Sequence, residues 1–296
     1  MSTVPAVSHP HTTAPRAPVR ALWWRVTREV RRNRLRGASA VVVVLVLLTA
    51  LAAPRLAPND PTQMNFGHFL EPPSWTHPLG TDDAGRDILS RVIYGARVSM
   101  TIGVLAVGLG AAGGVSLGLA AGYHGGAADA ATVWLTDVLL SFPGILLALL
   151  IAIVLGAGLT PVIVAIGIAS VPSFARLTRA SVLSVRGREY VEASRAIGAS
   201  DLRIIMRHVL LNSIGPILVY ATLVLGRAIL TAAALSFLGV GVPPPTPDWG
   251  AMVAEGENDV RTAPHVALFP GIAIAITVLA FNVLGDALRD ALDPKT

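Results

Sequence analysis

The sequence predicts an all-α membrane protein of about six transmembrane helices. Three observations carry this. Of 296 residues, 53% are hydrophobic and only 14% charged, against roughly 25% charged in an average soluble domain. Several windows of about 18 or more residues lack Asp, Glu, Lys and Arg, enough at about 1.5 Å per residue to cross a hydrocarbon core of about 30 Å. The two strongest basic segments, finally, are separated by an even number of those windows, as two segments on the same side of a membrane must be.

The elements follow in chain order. Residues 1–36 form an Arg-rich tail that includes Arg25, Arg28, Arg31, Arg32, Arg34 and Arg36. Its first 20 residues are rich in Pro, Ser, Thr and His and hold too few apolar residues to fold. His9 and His11 there read as solvated rather than metal-binding. The charged region is too long, and the apolar run after it exceeds a signal-peptide core, so 37–57 is expected to be an uncleaved first span. Residues 58–97 form a loop of mixed charge, and 98–290 hold the remaining spans. The first of these is 98–128. The uncharged run 138–175 is long enough for two, with Gly156, Gly158 and Pro161 marking the turn between them. The fifth is 216–238, interrupted by Arg227, and the sixth 263–285. Residues 291–296 close the chain as a short tail.

Orientation follows from arginine, since Lys295 is the sole lysine. The tail before span one is expected in the cytoplasm. Four crossings later the chain reaches 176–210, where Arg176, Arg179, Arg186, Arg188, Arg195, Arg203 and Arg207 again mark that side. The loop at 239–262 has Asp248, Glu255, Glu257 and Asp259 against Arg261, as expected outside. The loop 58–97 departs weakly from the rule, with Arg86, Arg91 and Arg97 beside five acids. Both termini are thus expected in the cytoplasm, with membrane lipid around the spans.

Composition also excludes functions. With no cysteine, disulfides, thiolate zinc sites and iron–sulfur clusters are absent. Lys295 lies in DPKT, so there is no G-x-x-x-x-G-K-[ST] loop, and nucleotide-driven work must come from another polypeptide. Neither paired in-span acids nor an H-E-x-x-H pattern appears, so no catalytic residue and no bound cofactor or metal is expected. No nucleic-acid partner is expected either. An ion-coupled secondary transporter would want ionisable groups near the midplane of corresponding halves, and only Arg227 qualifies.

Within 176–210, the stretch EYVEASRAIGASDLRIIMRHVL breaks the apolar pattern with acids, arginines and a glycine. A short helix is expected over 188–197, with Gly198 at positive φ just beyond it. Ser200 is placed to cap a second helix, and Asp201 falls in its first turn, where the dipole favours an anion. Leu202, Ile205, Met206 and Val209 recur at helical spacing, which predicts an amphipathic helix lying along the membrane face into span five. A basic interfacial loop accounts for the arginines. It leaves Glu189, Glu192, Asp201 and the glycine joint unexplained, and those suit a rigid element presented to a protein.

Glu192-Ala193-Ser194, three residues and then Gly198 resemble the Glu-Ala-Ala loop of ABC importer permeases. HPLGTDDAGRDILSRVIYGARVSM (77–100), DVLLSFPGILLAL (137–149), LSFLGVGVPPPTPDWGAM (235–252) and LAFNVLGDALRDALDP (279–294) are similar to the C-type permease of dipeptide, oligopeptide and nickel importers. The resemblance runs from about residue 25 onward. It implies the type I importer fold with a cytoplasmic coupling helix, and a transport subunit without enzymatic activity in a bacterial or archaeal cell membrane. It implies as partners a homologous second permease, two ATPase subunits carrying ATP and Mg, and an extracytoplasmic substrate-binding protein. Glu189, Glu192, Ala193, Ser194, Arg195, Gly198, Ser200 and Asp201 would then contact the ATPase. Peptide is the expected cargo, with nickel or another small solute as the alternative.

Other residues leave choices open. Pro243, Pro244 and Pro245 with Trp249 are either a stiff extended turn at the membrane surface or a contact for the binding protein. Asp137 is expected to make a helix-end or loop contact. Asp286, Arg289, Asp290 and Asp293 are spaced for pairs along one helix end. Two positions depart from the family. Leu211 stands where Pro is usual, so a kink is expected to move to Gly215-Pro216. Ala232 marks a region where a carboxylate is common. Arg227 costs roughly 2.5–3.5 kcal/mol at a span centre, so it should line a pathway for an anionic group or pair with the partner permease.

Overall fold

A computed structural model describes residues 33–292; the calls on the arginines before Asn33, on His9 and His11, and on Asp293 lie outside that range. The described residues are helical apart from the connections, of which 57–87 is the longest and holds one isolated bridge between Thr81 and Asp87. In order they are α1 (Arg34–Leu56), a 3-10 turn (Phe66–His68), α2 (Ile88–His124), α3 (Gly126–Leu140), α4 (Gly144–Leu155), α5 (Leu159–Val185), α6 (Glu189–Ala196), α7 (Asp201–Ile204), a π-turn (Ile205–Val209), α8 (Leu210–Phe237), α9 (Trp249–Glu255) and α10 (His265–Leu292). Five stretches are long and apolar enough to cross a membrane: α1, α2, α5, the run Asp201–Phe237, and α10.

The sixth crossing departs from expectation. Instead of one span over the first half of 138–175, α3 and α4 meet at 89° across Ser141, Phe142 and Pro143. Pro143 supplies no N–H, and its extended ψ of 127° ends one helix and starts the next. Two further boundaries shift. Helix α2 begins at Ile88, ten residues inside the expected loop 58–97. Helix α5 runs on to Val185, so Arg176 and Arg179 belong to a helix and only 186–200 stands apart from the candidate spans.

Packing decides how the bent pair is counted. Helices α2 and α5 lie side by side through a row of glycines four residues apart. A Cβ on Gly110 would come within 2.8 Å of Ser170 Cβ, on Gly114 within 2.4 Å of Phe174 Cβ, on Gly118 within 2.6 Å of the Ala175 carbonyl oxygen, and on Gly122 within 2.7 Å of Val182 Cβ. Small residues at this spacing let helix backbones touch where lipid removes the usual hydrophobic drive. The partners advance in the same direction as the glycines, so α2 and α5 are parallel. Parallel neighbours need one net crossing between them, so α3 and α4 together make that crossing. Helices α8 and α10 run antiparallel, with Gly226 against Val278 and Asn282, and Gly285 against Thr222 and Leu223.

Six crossings result. The α2–α3 junction, the α5–α8 segment, the start of α1 and the end of α10 share one end; Arg186 donates to the Gly122 carbonyl at 2.8 Å, and Arg36 pairs with Asp290. That pair joins two helices, where the sequence suggested contacts along α10 alone. Residues 57–87, the α4–α5 turn and 238–264 form the opposite end, tied by the Gly158 N–H bonded to the Gly241 carbonyl at 3.0 Å. Two apolar clusters fill the bundle, one around Ile102, Phe174 and Leu235 and one around Ile88, Trp249 and Phe281. A third sits under the charged loop.

Candidate functional site

The charged segment 186–209 folds into a knob. Helix α6 opens with Glu189 and Glu192 in its first turn and carries Arg195 in its last, as the helix dipole favours. It ends in a full Schellman motif. Gly198, at φ +78°, gives its N–H to the Arg195 carbonyl at 3.0 Å, and Ala199 gives its own to Ser194 at 3.1 Å. Ser200 occupies the next N-cap position, but its side chain makes no capping bond, contrary to expectation. Asp201 is instead held by a residue far away in sequence: Tyr123, at the end of α2, donates its hydroxyl to Asp201 Oδ1 at 2.6 Å. The Arg195 guanidinium stands over the same ring, 5.7 Å from its centroid. The Ser194 hydroxyl bonds the Tyr190 carbonyl at 2.8 Å and lies 3.3 Å from His208 Nε2.

The expected apolar stripe divides. Ile204 and Val209 are fully buried with Val191, Val182 and Val185, and Ile205 is half-buried against them. Leu202 and Met206 face outward at 71% and 50% exposure, and Ile197, beside the glycine joint, is 85% exposed. The π-turn accounts for the buried pair, because its i→i+5 repeat brings Ile204 and Val209, five residues apart, onto one face. Glu189, Glu192, Ala193, Arg195 and Gly198 are exposed around them. The knob therefore shows a charged rim and three bare aliphatic side chains, on a base packed against α2 and α5.

At the bend between α3 and α4 lies a cavity of about 510 Å³. Phe142 and Gly144 line it from the bend, Ser170 and Ser173 from α5, and Tyr220, Arg227 and Thr231 from α8. Arg227 is exposed and makes no hydrogen bond or ion pair with any described residue. It stands about 15 Å before the end of α8, near mid-span. Asp137, expected to make a helix-end or loop contact, instead pairs with Arg176 of another helix at 2.6 Å. Arg179 pairs with Asp129 in the same way.

The opposite end is built on residues that sequence reasoning passed over. Arg86 reaches Asp82 at 2.7 Å and Glu255 at 3.0 Å; Arg91 reaches the same Glu255 at 2.7 Å. Both arginines and Asp82 are buried. This neutralises two of the three arginines that departed from the charge rule. Burial pushes the Glu255 carboxyl above its usual range, against the pull of Arg91 and Arg86. His77 Nδ1 lies 3.0 Å from Asp87, and His265 Nε2 lies 3.3 Å from the Thr81 carbonyl oxygen. The signal was the density of charge around Gly80 and Gly85 in 77–91. Pro243, Pro244 and Pro245 are exposed. Trp249 is not: it is 2% exposed, its indole sits where a Gly95 side chain would be, and its Nε1 donates to Val92 at 2.9 Å. It belongs to the packing of α2 and leaves the candidate contact set.

Six crossings with a rigid charged knob at one end define a multi-pass membrane protein with a surface suited to a protein partner. Residues 114–296 match the family described as binding-protein-dependent transport system inner membrane component, and residues 21–73 match the N-terminal TM domain of oligopeptide transport permease C. The chain is 47% identical over 278 residues to the glutathione transport system permease protein GsiD of Escherichia coli O1:K1, covering 94% of this chain and 92% of that one. It is 45% identical, over the same shares, to the protein of that name from Pectobacterium atrosepticum. Its backbone is similar to a chain of the MetNI methionine ABC transporter in an inward-facing conformation, with TM-score 0.56 and 20% identity over 70% of this chain and 98% of that one. The chain belongs to the ABC importer permeases of the dipeptide and oligopeptide type. It is a multi-pass inner membrane component of transport, not an enzyme. The family works with ATPase subunits and a binding protein.

Proposed function

We propose that this permease pairs with a homologous second permease and two ATPase subunits to import small peptides delivered by an extracytoplasmic binding protein. ATP and Mg bind on the ATPases. The knob end, with both termini, faces the cytoplasm, in accord with the arginines of 1–36 and 176–210. Peptide cargo draws on the 47% identity to permeases named for glutathione transport; nickel or another small solute is the alternative.

The observation that carries the mechanism is the bond from Tyr123 to Asp201. The knob is not a flexible linker. It is tied through Asp201 and Arg195 to the end of α2, through Arg186 to Gly122, and by an apolar base to α5. An ATPase groove that grips Glu189, Glu192, Ala193, Ser194, Arg195, Gly198, Ser200 and Asp201, with Ile197 and Leu202 in its apolar floor, moves α2 and α5 as one body. ATPase closure then reshapes the pathway at the α3–α4 bend. Pro243, Pro244 and Pro245 are the contact for the binding protein on the other side.

The test is purification of the tagged chain from native membranes, identification of what accompanies it, and reconstitution of the complex. Recovery of a second permease and a Walker-A ATPase, with ATP-dependent uptake of glutathione or a dipeptide into liposomes, is the expected result. Uptake by this chain alone without ATP would overturn the assignment.

A further inference from the structure

From the cavity at the α3–α4 bend we infer that it is an anion-selective station of the translocation pathway, with Arg227 as the group that meets a carboxylate or other anionic group of the cargo; this rests on the importer reading above. Arg227 is the one charged residue among those lining the cavity. No acid offsets it from the packed helices. On α3, Asp129 and Asp137 are engaged by Arg179 and Arg176 of α5. Arg227 itself has no partner among the described residues, although a guanidinium near mid-span must face a partner or water.

The rest of the lining suits an anion in water rather than lipid. Ser173, Tyr220 and Thr231 bring hydroxyl groups to the space around Arg227, and a hydroxyl can donate to a carboxylate oxygen; the Ser170 hydroxyl, also in the lining, donates to the Ile166 carbonyl at 2.8 Å. The guanidinium adds a planar fork of donors matched to a carboxylate. At about 510 Å³ the cavity is of the size that encloses small-molecule ligands. A fixed positive charge in a cleft with low-dielectric walls raises the local concentration of anions and excludes cations. The station thus favours solutes that keep a free carboxylate over their amides.

The chain has no cysteine, which allows a direct test on the assembled transporter in lipid nanodiscs. In Ser173→Cys, mixed-disulfide formation with an anionic methanethiosulfonate, the sulfonatoethyl reagent, is compared with that of the cationic trimethylammonium reagent, the thiolate displacing methanesulfinate in both. Each rate is normalised to that of a free thiol and read on this chain's own peptide by mass spectrometry. The expected result is at least about tenfold preference for the anion, kept with Arg227→Lys and lost with Arg227→Gln. Equal rates for the two reagents, or a preference that survives Arg227→Gln, would overturn the inference, as when a partner subunit's acid neutralises Arg227. No labelling in any nucleotide state would overturn it too, because the cavity would then be closed to water. The importer reading fails separately, if labelling of Cys at 173 is indifferent to ATP and vanadate.

Discussion

Tyr123 and Asp201 lie 78 positions apart, yet the phenol donates to the carboxylate at 2.6 Å where α2 ends against the knob. The bond joins a spanning helix to the element that we propose meets the ATPase. A hydrogen bond of this kind contributes about 1 kcal/mol net, and Arg195 over the ring adds a cation–π contact. Tyr123→Phe keeps the ring and its packing and removes only the bond. Solute moved per ATP should fall roughly fivefold while the amount of membrane-inserted complex stays the same. Asp201→Ala, which removes the acceptor, should have a similar effect, and the double variant should be no worse than either alone. Additive losses would mean that the two residues act separately.

Gly198 is held at φ +78° by the Schellman turn. Proline cannot adopt that angle and has no N–H for the Arg195 carbonyl. Gly198→Pro should therefore abolish substrate-stimulated ATP hydrolysis and uptake while span insertion, which does not depend on the knob, is retained. Glu192→Lys should do the same by reversing charge on the exposed rim. Wild-type uptake in either variant would remove the knob from the coupling role.

The glycine row gives a prediction about stability. A side chain on Gly114 would overlap Phe174 and the α5 backbone, whereas a Cβ on Gly108, in the same helix, meets nothing within 4 Å. Gly114→Val should cost about 1–3 kcal/mol or more through overpacking, seen as a lower melting temperature or loss of the complex in detergent. Gly108→Ala should be neutral or slightly stabilising, since alanine is the better helix former by about 1 kcal/mol. Equal behaviour of the two would contradict close α2–α5 packing.

The spans were legible because a charge-free run long enough to cross a membrane has few other fates. The knob was legible in outline because Gly198 and the acids flanking it use local rules of helix ends. What local rules do not carry was missed. Asp201 was placed for the helix dipole, but its partner Tyr123 belongs to another helix. The apolar period through Leu202 and Met206 presumes an α-helix, and the π-turn at Ile205–Val209 breaks that presumption. Pro143 was visible, but hydropathy counts residues and is blind to direction, so the 89° turn was not. Trp249 was read as an interfacial aromatic because nothing near it in sequence shows that Gly95 opens a slot for its ring. The Arg86, Arg91 and Glu255 cluster joins residues about 165 positions apart, and no spacing rule reaches that far.

Asp248 offers a test by pH at the end opposite the knob. It is 1% exposed and accepts the Ala251 N–H at 3.2 Å as the N-cap of α9. Burial raises its pKa above the ordinary carboxylate value, opposed by the Ala251 N–H bond. A raised folded-state value means that the folded protein holds the proton where the unfolded chain has lost it. Asp248 therefore contributes most favourably below the ordinary carboxylate range, and stability falls as pH rises toward its folded-state pKa. Asp248→Asn keeps a capping oxygen and cannot ionise. The melting temperature of the variant minus that of the wild type should increase as pH is raised from about 4 toward neutrality. Glu255, raised by burial in the same sense, is present in both proteins and largely cancels in the difference. A difference that stays flat, or declines with pH, would show that Asp248 is ionised in the fold at no cost.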